Sequence, residues 1–221
     1  MKTLLSGVIA AALLASPVMA HGDDDDVKRD VKQTHDLKDF DKIEVVGVYK
    51  LDIRSGDKFS VRTEARKKDA KWMKVRQEGD TLVLGAEDDE GHKTRGRHNK
   101  GILAIVTMPR LSSLEVAGIA TGEVSAFTGG DVDVDIAGIS DLALSGTCDR
   151  LDIQLAGMGD LDAQDLKCAD VNAELGGMGS MDVYASERID ATVGGMGSID
   201  VHGDPTDVST DKSMFSSIKI R

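Results

Sequence analysis

A short motif recurs five times in the second half of the chain, and it constrains the fold more than any other feature. Each copy has a small residue, a glycine, an aliphatic residue, a small residue and a polar residue, as in residues 176–180. The glycines follow one another at spacings of 20, 19, 20 and 18 residues. They are Gly118, Gly138, Gly157, Gly177 and Gly195. Such a period is typical of a solenoid, in which each repeat forms one coil stacked on the next.

Apolar and polar residues alternate on both sides of these glycines. Ala173 and Leu175 precede Gly177, and Met181 and Val183 follow it, with a single acidic residue between the members of each pair. Period-two alternation indicates half-buried β-strands. We therefore predict an all-β solenoid with two strands and one glycine corner per coil of about 20 residues. A β-sandwich with coincidental spacing is the alternative.

The corner itself gives two more specific expectations. Glycine suits a corner because it adopts backbone angles that other residues avoid. Stacked coils place equivalent residues about one strand spacing, roughly 4.8 Å, apart. We therefore expect the aliphatic residue after each glycine to pack inside the solenoid as a ladder formed by Ile119, Ile139, Met158, Met178 and Met196.

The first half of the mature chain has a different character. Residues 36–110 lack the repeat, but they hold four of the seven aromatic residues and 17 of the 27 basic ones. Alternating runs predict strands here, with hairpin turns at residues 55–58 and 78–80. Because the ends of a solenoid are exposed strand edges, we predict an N-terminal β unit over residues 36–110 that caps one end. Residues 111–221 then form the β-solenoid coils with a C-terminal cap strand.

The N-terminus carries a targeting signal. Residues 1–20 have a positive start, an apolar run of about a dozen residues and the small-residue sequence Val18-Met19-Ala20, which is typical of a secretory signal peptide cleaved after Ala20. Residues 21–35, rich in Asp, are predicted to be an acidic disordered tail. We therefore expect a protein of the periplasm, or one exported further, with no transmembrane span in the mature chain.

Three parts of the sequence resemble one known family. The lead-in at residues 40–45, the hairpins of residues 61–85 and the Gly-Met-Gly-Ser coils are similar to the putative auto-transporter adhesin, head GIN domain family. The resemblance covers about residues 37–220. It implies an exported bacterial protein with a right-handed parallel β-helix, and it brings no catalytic residues.

The two cysteines occupy equivalent places in neighbouring repeats. Cys148 and Cys168 each stand nine residues before a corner glycine, Gly157 and Gly177 respectively. One strand spacing between coils falls within the Cα separation that a disulfide needs, about 4.4–6.8 Å. An oxidising compartment favours a structural disulfide. Two reduced thiols buried in the core are the alternative.

Acidic residues also recur at fixed places in the repeats. One row lies five residues before the glycine and another lies five residues after it, both on outward strand positions. The rows contain Asp133, Asp152 and Asp190, and Asp162, Asp182 and Asp200. Stacked carboxylates repel one another unless a cation intervenes. They are therefore candidate sites for divalent cations, and a solvated polar face is the alternative.

The overall charge limits the function. The formal net charge is −12, and residues 111–203 hold 17 acidic residues against three basic ones. A sequence-independent nucleic-acid binder needs a basic surface, so nucleic acid is excluded as a partner. No pattern for nucleophilic catalysis or cofactor binding occurs, so we expect no enzyme and no cofactor. We expect an adhesion-type module that binds an envelope protein or glycan through a rigid face; a polysaccharide-acting β-helix enzyme and an envelope scaffold are the alternatives.

Overall fold

The computed structural model describes residues 28–85 and 102–221, which form sixteen β-strands and one short 3-10 helix, Ala70–Trp72. The predicted signal peptide and residues 21–27 of the predicted tail lie outside the described residues. All the strands belong to one continuous sheet. None of the described residues belongs to a helix that is long and apolar enough to cross a membrane.

The strands in chain order are β1 (Val31–His35), β2 (Lys42–Val45), β3 (Val48–Ser55), β4 (Ser60–Ala65), β5 (Val75–Glu78), β6 (Thr81–Leu84), β7 (Leu103–Met108), β8 (Ser113–Val116), β9 (Ile119–Thr128), β10 (Asp131–Ile136), β11 (Ile139–Leu155), β12 (Met158–Leu175), β13 (Met178–Val193), β14 (Met196–His202), β15 (Asp207–Lys212) and β16 (Ser216–Ile220).

From β8 onwards the chain winds as a solenoid, which confirms the predicted fold. Every strand pair in this part is parallel, and the register equals the sequence period, so that Leu161 lies beside Met181. The last residue before each corner points inward, and these residues form a column that is at most 1% exposed. Its members include Ile136, Leu155, Leu175 and Val193. The core is therefore a stack of aliphatic layers, one layer per coil.

The sheet continues without a break into the N-terminal half. β2 and β3 lie parallel to β8 and β9 and form a coil whose corner is at Gly47. β6 and β7 lie parallel to β2 and β3 on the other side and form one more coil. The predicted division at residue 110 therefore does not coincide with any break in the sheet.

The cap consists of antiparallel strands at this end of the molecule. β4 pairs with β7, β1 pairs with β4, and β5 pairs with β6. The Glu64 carboxylate of β4 forms ion pairs with Lys32 at 3.1 Å and with Arg62 at 3.2 Å. The prediction of disorder is thus wrong for residues 31–35, because they form strand β1, which pairs with β4.

Of the two predicted hairpin turns, one is confirmed. Residues 78–80 join the antiparallel pair β5 and β6, with Gly79 at a φ of 63°. The hairpin predicted at residues 55–58 is wrong. β3 and β4 are not paired with each other, because β7 lies between them and pairs with both.

Candidate binding surface

The corner glycines stack directly upon one another. A Cβ atom on Gly157 would overlap the carbonyl oxygen of Gly138, and one on Gly177 would overlap that of Gly157. The predicted explanation by special backbone angles is wrong for these residues, since none of the five repeat glycines has a positive φ. Positive φ occurs two residues later, at Gly159 (140°) and Gly179 (146°). Glycine is required at the corner because the backbones of neighbouring coils touch there.

The residue after each corner glycine points to solvent. Ile139, Met158, Met178 and Met196 are 44, 46, 44 and 56% exposed. The predicted internal ladder is therefore wrong. The inward position on this side of the corner is one residue further on, where small residues such as Ser140 fit. Ala120, Ser140, Gly159 and Gly179 occupy this inward position in successive coils, so the larger side chain of each of these coils is the outward one.

These outward residues form one column along the molecule, which we call the apolar ridge. Strand pairing places its members in direct register: Val48, Ile119, Ile139, Met158, Met178 and Met196. The ridge extends by one more coil. Lys212 pairs with Val193 and Ser216 pairs with Gly197, so that Phe215 stands in the place equivalent to Met196. Six steps of one strand spacing give a length of about 29 Å.

Acidic and polar residues border the ridge on both sides. Two residues beyond it lies the row Thr121, Asp141, Asp160, Ser180 and Ser198, in which the backbone N–H of Ser180 donates to the Asp160 carboxylate at 3.1 Å. On the other side of the corner lies the row Glu44, Glu115, Asp135, Gln154 and Glu174. The ridge is therefore an apolar strip with a negatively charged margin.

The pKa is raised for two carboxyl groups here, Glu115 of the margin and Asp133 beside it. Partial burial, followed by the charges of Glu44, Asp135 and Asp133, raises the pKa of Glu115. Partial burial and the charges of Asp152 and Asp135 likewise raise the pKa of Asp133. Like charges stacked one strand spacing apart thus repel one another here, as expected for parallel coils in register.

The first predicted aspartate row lies beside this margin, on outward positions of the strands that enter the corner. Asp133 stands opposite Asp152, and Asn172 lies between Asp152 and Asp190. The Asn172 side-chain amide lies 3.3 Å from both carboxylate oxygens of Asp152. The amide thus separates two carboxylates that would otherwise be direct neighbours.

The second predicted row has a partner at each level. The Gln164 amide donates to Asp162 at 3.1 Å, His202 lies 3.0 Å from Asp182, and Arg221 lies 2.6 Å from Asp200. Among residues 28–85 and 102–221, no three His, Cys, Asp or Glu side chains come together as a metal site. Cation binding by either row stays a prediction.

A third charged column was missed in the sequence. Seven residues before each corner stand Asp131, Arg150, Asp170, Arg188 and Asp207, which are direct neighbours in the sheet. Their charges alternate, and Arg188 lies 3.7 Å from Asp207. This alternation of charge can be found in the sequence by aligning the repeats on their glycines. It is visible when every outward position, and not only the acidic ones, is compared between repeats.

The two cysteines are direct neighbours in the sheet and form a disulfide. Cys148 of β11 stands opposite Cys168 of β12, with a Cα–Cα distance of 4.6 Å. The predicted bond is therefore confirmed. It links two adjacent coils on the side of the solenoid away from the glycine corner.

Several solved structures are similar to this chain. A putative adhesin from Bacteroides fragilis NCTC 9343 superposes with a TM-score of 0.67 at 24% identity, over 86% of this chain and 96% of that one. A putative lipid binding protein from Parabacteroides distasonis ATCC 8503 gives 0.45 at 19% identity, over 86 and 96%. A putative adhesin from the same strain gives 0.47 at 15% identity, over 89 and 98%. The first of these shows the common fold.

Sequence comparison places the chain in a family. None of the curated proteins matches it. The model of one family matches residues 39–205, which include the N-terminal coils, the five glycine repeats and the disulfide. The chain belongs to the family described as putative auto-transporter adhesin, head GIN domain.

Proposed function

We propose that this protein is a non-enzymatic binding module of adhesion type in the bacterial cell envelope, and that the apolar ridge is its recognition surface. The observation that carries this proposal is the row of large apolar side chains exposed at five successive coils, namely Ile139, Met158, Met178, Met196 and Phe215. Contiguous apolar surface rimmed by polar residues marks interaction sites in soluble proteins. Membership in a family named for adhesion supports the same reading.

The ridge is suited to binding because its backbone is already ordered. Each of its residues lies in or beside a hydrogen-bonded parallel strand, so a partner orders only side chains. Methionine adapts its shape to a partner at small energetic cost. Covering the ridge stabilises a complex by roughly 25 cal/mol for each Å² of apolar surface removed from water.

The margin of the ridge defines the chemistry of the partner. Glu115, Asp135 and Glu174 border one side, and Asp141 and Asp160 border the other. A partner that fits presents an apolar strip flanked by Lys or Arg, because like charges across an interface are unfavourable. We therefore favour a basic amphipathic segment of an envelope protein over a glycan, which offers no such strip.

Export is part of the same proposal. A disulfide between adjacent coils persists in the periplasm or outside the cell, where thiols are oxidised. Cleavage after Ala20 then gives a mature chain that begins at His21. N-terminal sequencing of protein recovered from the periplasm tests this; an intact residue 1–20 segment contradicts it.

The binding proposal is tested with a designed peptide and methionine methyl NMR. The probe is a peptide of alternating leucine and lysine, and its matched control replaces every lysine by glutamate. We expect the Met158, Met178 and Met196 methyl signals to shift with the basic peptide and not with the acidic one. The variant with all three methionines replaced by serine should lose binding, whereas Thr147→Ser, exposed beside the disulfide and away from the ridge, should keep it. Equal shifts with both peptides, or none with either, would overturn the proposal.

A further inference from the structure

The last coil of the solenoid leaves part of its core uncovered. Val208 of β15 lies beside the fully buried Ile189, and Ile220 of β16 lies beside the fully buried Val201. Val208 and Ile220 are nevertheless 47 and 43% exposed. Among the described residues, no strand pairs with the outer edges of β15 and β16. This end therefore presents both inward-facing apolar side chains and free backbone hydrogen-bonding groups.

The corner of this coil is also apolar and exposed. Met214 replaces the corner glycine and is 93% exposed, and Phe215 at the end of the ridge is 81% exposed. Exposed strand edges are usually protected by short strands, charges or a cap. The opposite end of the molecule has such a cap in β1, β4 and β5, as described above.

The helical rise of the solenoid restricts how a second copy can cover this end. The chain climbs about one strand spacing, roughly 4.8 Å, per coil, so that β16 lies beyond β15 along the solenoid axis. A twofold arrangement that pairs β15 of one copy with β15 of the other cannot also pair the two β16 strands. The distance between the two β15 strands would differ from that between the two β16 strands. A twofold axis through the corner pairs each β15 with β16 of the other copy, and both gaps are then equal.

We propose that the protein forms a dimer through this coil, with the twofold axis passing by Met214. The strands are antiparallel in this arrangement, because β15 runs towards the corner and β16 runs away from it. Residues equally far from the corner become opposite neighbours. Val208 then lies opposite Ile220 of the second copy, and Asp207 lies opposite Arg221 of the second copy.

Side-chain chemistry agrees with this register. The exposed apolar residues that face inward, Val208 and Ile220, cover each other as the inner layers of the solenoid do. Asp207 already lies 3.7 Å from Arg188, and Arg221 lies 2.6 Å from Asp200. Pairing Asp207 with Arg221 of the second copy therefore continues an alternation of charge across the interface.

Lys212 and Ser216 are also compatible with this pairing. Lys212, an inward-facing residue by register, lies at the corner end of β15 opposite Ser216 of the second copy. Its ammonium group is thereby next to hydroxyl groups and at the rim of the interface. The two Phe215 side chains meet near the axis, so the two apolar ridges join into one. Dimerisation does not depend on what the ridge binds.

The first test is the mass of the purified protein in solution by light scattering. We expect twice the mass of one chain at micromolar concentration. Replacement of both Val208 and Ile220 by lysine should give a monomer, and circular dichroism should show that the coils remain folded. A wild-type protein that is monomeric at every concentration would overturn the proposal. It would do so even if a strand of a different envelope protein covers this end.

The second test measures the register by disulfide trapping. Opposite residues of antiparallel strands have Cα atoms about 4.5–5.5 Å apart, which suits a disulfide. Val208→Cys and Ile220→Cys proteins should cross-link when mixed and mildly oxidised, whereas neither should cross-link alone. Ser198→Cys, partly exposed on an outward position of β14, is the matched control and should stay uncross-linked. Cross-linking of Val208→Cys with itself, or none in the mixture, contradicts the proposed pairing.

Discussion

At the scale of single residues, the corner glycines are fixed by lack of space. Their recurrence identifies the corner in the sequence, but the reason for glycine, contact between stacked backbones, is visible only once the coils are in place. The direction of the following side chain follows from the alternation, which continues through the corner unbroken. Leu155 and Leu161 are buried, and Met158, three residues from each of them, is exposed.

The space argument predicts different effects for two neighbouring glycines. Gly195→Ala places a methyl group against the carbonyl oxygen of Gly177, whereas a Cβ at Gly194 has no atom within 4 Å and no unfavourable φ. We expect Gly195→Ala to lower the free energy of unfolding by at least about 2 kcal/mol, as overpacking does, and Gly194→Ala to leave it almost unchanged. Urea unfolding monitored by circular dichroism measures both. Equal effects of the two substitutions would contradict the explanation.

Partial burial and charge repulsion at Asp133 predict a pH-dependent gain in stability when its charge is removed. The pKa of Asp133 in the folded protein is raised above its ordinary value of 3.8, so the folded protein binds this proton more tightly than the unfolded chain. The ionised form thus destabilises the fold above the raised pKa. This loss of stability disappears as the pH falls below about 3.9, the pKa of the unfolded chain. Asp133→Asn should therefore raise the melting temperature at pH 7 and not at pH 3.

The control for this prediction is Asp190→Asn. Asp190 has Asn172 and Ser209 as its direct neighbours in the sheet and no carboxylate opposite it. Its replacement should change the melting temperature less than that of Asp133 at pH 7. A gain from Asp133→Asn that persists at pH 3 would point to a cause other than charge.

At the scale of elements, the repeat predicted the parallel strands and their register, including the neighbourhood of Cys148 and Cys168. It did not predict the coils of the N-terminal half. Gly47 and Gly85 lie at corners there, but four strands, β3, β4, β5 and β6, lie between them in sequence. Residues 86–101 then separate β6 from β7. Both insertions break the period on which the repeat analysis depends.

The disulfide is an element-scale constraint with a measurable effect. It closes a loop with a sequence separation of 20 residues. Cross-links of this span typically contribute about 3 kcal/mol to stability. The double replacement of Cys148 and Cys168 by alanine should lower the free energy of unfolding by about this amount in chemical denaturation. Reductant should lower the stability of the wild type and have no effect on the variant. If reductant also destabilised the variant, its effect on the wild type could not be attributed to this disulfide.

At the scale of the whole molecule, charge is distributed unevenly. Residues 111–203 carry 17 acidic and three basic residues, whereas residues 36–110 carry 14 acidic and 17 basic ones. The sequence alone revealed this difference. Which carboxylates face one another follows only from the register, since Asp200 has Arg221 beside it while Asp133 faces Asp152.

Uneven charge predicts a dependence of stability on ionic strength. Salt screens repulsion between exposed carboxylates, so the melting temperature should rise as sodium chloride is added. Sodium and calcium chloride at equal ionic strength should give equal rises if screening is the cause. A larger rise with calcium would instead establish a cation site in the rows of Asp162, Asp182 and Asp200. Differential scanning calorimetry distinguishes the two outcomes.

The order of the coils has a consequence for how the chain folds. The coil of β2 and β3 lies between β6 and β7 on one side and β8 and β9 on the other, so its neighbours on both sides come later in the sequence. Ser112 donates to the backbone of Asp41 across 71 residues, and Ser125 to that of Ile53 across 72. Each glycine repeat needs only the preceding 20 residues. Folding of the N-terminal half is therefore limited by closure of long loops, and it can finish only after β9 has emerged during synthesis or translocation.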